Sequence, residues 1–365
     1  MEKVIIVGVS QEKNKQDFND SMDELEELVK ASEGQVVYRV TQHRTKIEPK
    51  TFIGIGKAYE ISDLANEYEA TTIIFNDELS GSQMRNLEEI INKKILDRST
   101  LILDIFATRA STKESKLQVK LAQLQYRLPR LAGYSNHLSR LGGGIGTRGP
   151  GEQKLEIDRR IIQRDISNIK KQLKEASKNR EINRQQRLKS ELPIISLVGY
   201  TNAGKSTLMN QILKNNKVND DKHVFEKDML FATLNTSLRV AQFQNKQPFL
   251  LTDTVGFVSK LPTFLIESFK STLEEITYSD LILIVVDASN KSLELQLNTT
   301  HQIIKELKSQ DIPTLTVFNK MDQVNDEQRL SLMPYFKDTF FMSALNPQDV
   351  TNLLETMQGM LTQVK

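Results

Sequence analysis

The 365-residue sequence has no cysteine and only four histidines, which stand singly. The first absence excludes a disulfide framework and any thiolate metal site, and it suits a reducing compartment. The scattered histidines form no ligand set and are expected to be ordinary surface or core residues. No run of 18 apolar residues occurs and no basic-then-apolar leader opens the chain, so neither a membrane span nor secretion is expected. Cytoplasm is the expected location. The 38% hydrophobic and 26% charged content fits globular domains, and the length allows two or three of them, each with its own core.

The net charge of +2 conceals an asymmetry. Between Ser111 and Ser190 there are 19 Lys/Arg against 7 Asp/Glu, a net of +12, which leaves the remainder at −10. A basic element between more acidic domains is what a nucleic-acid-facing segment requires.

From Val4 to about Arg109 short strand-like runs alternate with helical patterns. Val4 to Val9, Val36 to Val40, Thr72 to Phe75 and Lys94 to Leu96 read as strands; Leu25/Leu28/Val29, Tyr59 to Glu69 and Met84 to Ile91 have helical spacing. This alternation predicts a small α/β domain with a largely parallel sheet. Gly54-Ile55-Gly56-Lys57 precedes a helix, and a plain turn is favoured there over an anion cradle. In the cluster Asn76-Asp77-Glu78-Leu79-Ser80, an N-cap role for Ser80 is favoured over a metal site.

In the basic segment Leu117, Leu121, Leu124, Leu128 and Leu131 are spaced four, three, four, three, the seam of a helical hairpin. The rhythm returns in Leu155, Ile162, Ile166, Ile169, Leu173 and Ala176, which predicts an antiparallel partner helix. The connection, Arg140 to Gly151, holds six glycines in twelve residues with two arginines. Such a loop either binds something or serves as a linker, and arginine interleaved with glycine suits an RNA backbone. The domains are accordingly expected at residues 1–110, 111–190 with the loop 140–151 at the hairpin tip, and 191–365.

Pro193 marks the entry to the third of these. Ile194 to Val198 is an apolar run that leads into Gly199-Tyr200-Thr201-Asn202-Ala203-Gly204-Lys205-Ser206-Thr207. This is G-x-x-x-x-G-K-S in the strand-then-helix context a P-loop requires. Its backbone N–H groups can curl around phosphates, Lys205 can reach the β and γ oxygens, and Ser206 can offer its hydroxyl to Mg²⁺. Phe249 to Leu251, Leu281 to Val286, Leu315 to Phe318 and Phe340 to Met342 are near-continuous apolar runs, as in strands buried on both faces of a parallel sheet. A last helix is expected from about Asp349.

Further signals fall at the strand ends, where doubly wound sheets bind ligands. In Asp253-Thr254-Val255-Gly256 the carboxylate suits Mg²⁺ and the Gly256 N–H suits a γ-phosphate. Asn319-Lys320-Met321-Asp322 is N-K-x-D: the Asp322 carboxylate can accept from guanine N1–H and its exocyclic amine, with the Lys320 stem over the base. Ser343-Ala344-Leu345 supplies a backbone N–H for the guanine carbonyl, and Thr233 after Ala232 is the switch threonine expected on Mg²⁺. GTP and GDP are the expected ligands. Phe257 stands where many small GTPases carry a water-positioning Gln, so slow intrinsic hydrolysis stimulated by a partner is expected.

The whole chain resembles the HflX family of translational GTPases. The resemblance rests on Lys50 to Glu60, Asn76 to Leu87, Asp97 to Ala110 and Lys116 to Leu131, and most specifically on R-L-G-G-G-I-G-T-R-G-P-G-E-Q-K-L-E-I-D-R-R from Arg140 to Arg160. Gly199 to Leu208, Phe231 to Leu234 and Asp253 to Phe257 fit as well. The resemblance implies an N-terminal α/β domain, a helical hairpin and a Ras-like G domain with a mostly parallel doubly wound sheet. It also implies binding of the large ribosomal subunit and, with GTP, the splitting of stalled ribosomes; the protein is expected to be a monomer in solution. The loop residues Arg140, Gly142, Gly143, Gly144, Thr147, Arg148 and Gly149 would then contact rRNA. Lys205, Thr233, Gly256 and Asn202 would be the catalytic set, with Ser206, Thr233 and Asp253 on Mg²⁺. Asn202 resembles an Asn that ligates K⁺ in some GTPases; its other reading is a residue tolerant of a left-handed turn. Two departures from the family are Asn235, where Asp is usual, and the small C-terminal domain that many members carry beyond the position of Lys365. A GTP-gated assembly or dormancy factor is the alternative function, and a nucleotide or RNA-remodelling activity of the N-terminal domain through Gly54 to Lys57 is another.

Overall fold

The structure is a computed structural model and describes residues 1–11, 15–131, 150–188, 192–215, 237–260, 262, 264–265, 268–269, 273–290, 292–335 and 339–363. It divides into two compact units. The first comprises Met1–Thr108, Lys116–Ala176 and Pro262–Ser268; the second comprises Arg109–Ser115, Ser177–Leu261 and Phe269–Lys365.

The first unit begins with the expected alternation: β1 (Glu2–Ser10), α1 (Lys15–Ala31), β2 (Gly34–His43), α2 (Ile55–Glu67), β3 (Thr72–Phe75), α3 (Gly81–Ile91), β4 (Lys94–Asp97) and α4 (Arg98–Arg109). The strands form a parallel sheet in the order β2-β1-β3-β4. The apolar runs of β1 and β3 are buried on both faces, with Ile5, Ile6, Val7 and Phe75 fully enclosed. Helix α3 starts on a capping box: the Ser80 hydroxyl accepts from the Gln83 N–H at 3.3 Å, and the Gln83 side chain accepts from the Ser80 N–H at 2.9 Å. Asn76, fully buried, donates to Ser21 Oγ at 2.9 Å and accepts from Arg98 at 2.8 Å, so it is part of the packing.

Helices α5 (Lys113–Arg130) and α6 (Pro150–Leu188) carry the two apolar seams. Leu117, Leu121, Leu124, Leu128 and Leu131 meet Ile162, Ile166, Ile169 and Leu173 in one cluster. The end of α5 is fixed to the sheet by a buried carboxylate. Asp97 accepts from Tyr126 Oη at 2.6 Å, from the Leu79 N–H at 3.0 Å and from the Thr100 hydroxyl at 2.8 Å. Arg130 lies over the Tyr126 ring at 3.4 Å and donates to the Leu79 carbonyl at 2.9 Å. Burial, reinforced by the Asp97 charge, pushes the Tyr126 phenol well above its ordinary range, so the hydroxyl stays a donor. In the same unit Phe264 packs 5.9 Å from Tyr126, and Ser268 Oγ donates to Gln125 at 3.1 Å.

The second unit contains β5 (Ile194–Gly199), α7 (Lys205–Asn215), β6 (Ser237–Gln242), β7 (Pro248–Asp253), β8 (Leu281–Asp287), α8 (Leu293–Glu306), β9 (Thr314–Asn319), α9 (Asp326–Ser331), β10 (Thr339–Phe341) and α10 (Pro347–Gln363). The sheet order is β10-β9-β8-β5-β7-β6, parallel except for the β6–β7 pair. Strand β6 is an addition to the strands read from the sequence. Because β5 lies between β7 and β8, the strand order reverses beside it, and the carboxyl end of β5 is the position at which doubly wound sheets bind ligands. Gly199 and Tyr200 stand at that point. Among the described residues no helix is long and apolar enough to cross a membrane.

Candidate functional site

The turn that follows β5 has the backbone of a phosphate cradle. Gly199, Asn202 and Gly204 have φ of +145°, +60° and +91°. A Cβ on Gly199 would lie 2.1 Å from the Val285 carbonyl oxygen, and one on Gly204 would lie 2.3 Å from Asn319 Nδ2. Gly199→Ala therefore forces apart β5 and β8; a loss of about 3 kcal/mol or more in unfolding free energy is expected, read by urea denaturation. Near-wild-type stability would contradict the strand spacing.

Lys205 opens α7 and is buried. Its ammonium donates to the Tyr200 carbonyl at 2.7 Å and the Gly199 carbonyl at 3.0 Å, so it lies across the mouth of the turn. Burial lowers its pKa from 10.5 to about 8, against the opposing pull of Asp253. Ser206 donates to Asp253 Oδ2 at 2.7 Å, which brings a hydroxyl and a buried carboxylate together beside the lysine. The pairing follows from strand register, Leu197 of β5 being opposite Asp253 of β7. Thr254, also buried, donates to the Leu197 carbonyl at 2.7 Å and is thereby structural.

The segment after Asp253 closes on the same turn. The Thr201 N–H donates to the Phe257 carbonyl at 2.8 Å, and the Phe257 N–H donates to the Gly199 carbonyl at 3.1 Å. Tyr200 and Phe257 thus form a parallel bridge, with the Phe257 ring enclosed at 2% exposure. A Cβ on Gly256 would stand 2.8 Å from Thr201 Cα and 3.1 Å from Lys205 Nζ. Backbone hydrogen bonds of this kind carry no side-chain signature, which is why the sequence gives only the side-chain consequence of Phe257.

At the end of β9 Asn319 joins three of the motifs. It donates to the Ala203 carbonyl at 2.9 Å and accepts from the Ala344 N–H at 2.8 Å, tying the glycine turn and Ser343-Ala344-Leu345 to the end of β9. Asp322 accepts from Ser343 Oγ at 2.5 Å, while the Ser343 N–H donates to Asp349 at 2.8 Å and the Leu345 N–H to Ser343 Oγ at 3.3 Å. Lys320, in the left-handed region at φ +64°, extends to a carboxylate outside the sequence motifs, Asp287, at 2.8 Å. The Met321 N–H donates to the Met342 carbonyl at 3.2 Å. Thr233 and the loop residues Arg140, Gly142, Gly143, Gly144, Thr147, Arg148 and Gly149 lie outside the described residues. The remaining site residues are brought to one end of one sheet.

Three family models match the chain: "GTP-binding GTPase N-terminal" over residues 19–107, "GTP-binding GTPase Middle Region" over 109–187 and "50S ribosome-binding GTPase" over 194–320. The GTPase HflX of Lacrimispora saccharolytica is 50% identical over 321 residues, 88% of this chain and 74% of that protein. The chain belongs to the HflX family of GTPases. The HflX proteins of Alkalihalophilus pseudofirmus and Escherichia coli K12 are 45% and 41% identical, over 99% and 89% of this chain and 84% and 74% of theirs. As an HflX GTPase the chain binds GTP and GDP and hydrolyses GTP. Its fold is similar to that of SsGBP in a crystal structure with GDP, with a TM-score of 0.52, 23% identity and 100% and 99% of the two chains covered.

Proposed function

We propose that this HflX GTPase binds the large ribosomal subunit through rRNA contacts of its basic hairpin loop and uses GTP to split or rescue stalled ribosomes in the cytoplasm. The observation that carries the reading is the match of residues 194–320 to a 50S ribosome-binding GTPase. The +12 charge of residues 111–190 supports it, since phosphate neutralisation supplies most nucleic-acid affinity. The test is sedimentation of ribosomes with the protein and a non-hydrolysable GTP analogue. Separation into subunits is expected; stable co-sedimentation with intact ribosomes would instead favour an assembly or dormancy factor.

Within the site, the turn Gly199–Thr207 holds the phosphates, and Asn319 to Asp322 with Ser343 to Leu345 holds the guanine. Lys205 neutralises the β and γ oxygens. Ser206 and Asp253 are adjacent hard oxygen donors of the kind Mg²⁺ takes and would hold the ion together with Thr233. When bound, the ion would supply charge neutralisation to the phosphates. Gly256 offers its N–H to the γ-phosphate, and the Thr201 N–H bond to the Phe257 carbonyl holds its segment beside the glycine turn. Phe257 has no group that orients water, so chemistry awaits a partner's contribution.

The Lys205 value sets the pH response. The free site has the lysine half-protonated at about pH 8, and phosphate binding favours the charged form. Affinity for GDP is therefore full below about pH 8 and falls roughly tenfold per unit above it, as fluorescence titration would read. A flat profile between about pH 7 and about pH 9.5 would contradict the assigned contact.

Asn202 holds the left-handed conformation that its turn reading requires. Its proposed second role, a K⁺ ligand between the β- and γ-phosphates, predicts faster hydrolysis in K⁺ than in Na⁺ and loss of the difference in Asn202→Ala. Equal rates in the two salts would remove that role.

A further inference from the structure

Asp287, the ion-pair partner of Lys320, lies outside every motif legible in the chain. Asp287 is the last residue of β8, and its register partner is Asn319, the last residue of β9, so strand pairing alone delivers its carboxylate to the start of Asn319-Lys320-Met321-Asp322. Both oxygens are used. Oδ1 accepts from the Ser289 N–H at 3.0 Å and from Ser289 Oγ at 2.6 Å; Oδ2 meets Lys320 Nζ at 2.8 Å. The intervening Ala288 donates its N–H to the Asn319 carbonyl at 2.9 Å, so backbone and side chain of one turn grip consecutive residues of the motif. That turn is held in its turn: Gln328 Nε2 donates to the Ser289 carbonyl at 2.7 Å, and Gln328 forms the capping box with Asn325 that starts α9. The side chains of Lys320 and Asp287 are only 19% and 12% exposed.

A lysine stem has four rotatable bonds, and ordering it costs conformational entropy wherever the ammonium is free to follow solvent. Here the ammonium has a fixed, mostly buried partner, so the ordering is complete before a base arrives. The ion pair also neutralises the end of the stem, leaving methylene groups as the surface beside the base. We propose that Asp287, braced by Ser289, is a positioning residue for guanine recognition, holding Lys320 extended as the floor under the base. The inference rests on the reading of Lys320 and Asp322 as the base-binding residues.

Because the base is common to both nucleotides and remote from the γ-phosphate, the contribution falls on binding and not on turnover. In Asp287→Asn the KM for GTP and the Kd for GDP rise together, by roughly tenfold, with kcat kept within about twofold. The decisive comparison is made in Lys320→Met, where the stem keeps its length and loses the ion pair. If Asp287 acts through the lysine, Asp287→Asn causes no further loss of GDP affinity in that background. Ser289→Ala, which removes one of the braces while leaving the carboxylate, shows a smaller loss that likewise vanishes in Lys320→Met. Thermal unfolding of each variant separates a folding defect from a binding one. Unchanged GDP affinity in Asp287→Asn would overturn the proposal, and so would an equal loss in both backgrounds. GDP affinity unaffected by Lys320→Met alone would overturn it too, because that variant keeps the stem and removes only the ion pair. GDP affinity unaffected by Lys320→Ala, which removes the stem, would instead overturn the base-binding reading on which it stands.

Discussion

Asp322→Asn lowers affinity for GTP and GDP by about a hundredfold or more and raises affinity for xanthosine nucleotides. Guanine presents two donors on one edge, N1–H and the 2-amino group, and a carboxylate accepts both. An amide at the same place offers one acceptor and one donor. Its donor meets the guanine amine head-on, and a buried donor left without a partner carries the full desolvation penalty. Xanthine has a carbonyl where guanine has the amine, so the same amide completes its edge. The Ser343 hydroxyl, 2.5 Å from Asp322 Oδ1, fixes the orientation that makes this exchange sharp. Calorimetric titration with GDP and xanthosine diphosphate reads both arms. Retained GDP affinity, or no gain for the xanthine nucleotide, would remove the guanine pocket from this end of the sheet.

Joint replacement of Arg140 and Arg148 by Ala separates ribosome action from the chemistry of the G domain. Each arginine that meets a phosphate displaces condensed counterions, so its loss lowers affinity and also the steepness with which affinity falls with salt. The double variant is expected to bind large subunits roughly tenfold or more weakly, with a salt slope smaller by about 1.5, while hydrolysis without ribosomes stays within about twofold. Filter binding across a salt series and a phosphate-release assay supply the two measurements. Equal losses in both would mean that the loop serves the nucleotide site and not rRNA.

The G domain was the most legible part of the chain, for a physical reason. Phosphate and guanine recognition depend on short segments at strand ends, so the glycine turn, Asp253 to Gly256, Asn319 to Asp322 and Ser343 to Leu345 each carry their signature locally. Strand β8 was equally plain, because burial on both faces leaves no polar alternation. Edge strand β6 escaped for the opposite reason: Val240 is 46% exposed while Ala241 is enclosed, so the segment has no continuous apolar run. Helix α4 was legible only as a motif, since Leu101 to Phe106 is mixed enough to suit either a buried strand or a buried helix. The long-range contacts among the site residues were the least accessible. The ammonium of Lys205 on its own turn, the Phe257 bridge and the Asp287 ion pair depend on register between strands far apart in sequence, which no local pattern encodes.

The central claim is that the phosphate and guanine residues of the second unit drive an action on the large ribosomal subunit. GTP turnover measured with and without purified large subunits tests it most directly. A rise of at least about tenfold with large subunits is expected, in keeping with a site whose Phe257 cannot orient water and which a partner must complete. The same rate in their presence and absence would contradict the account.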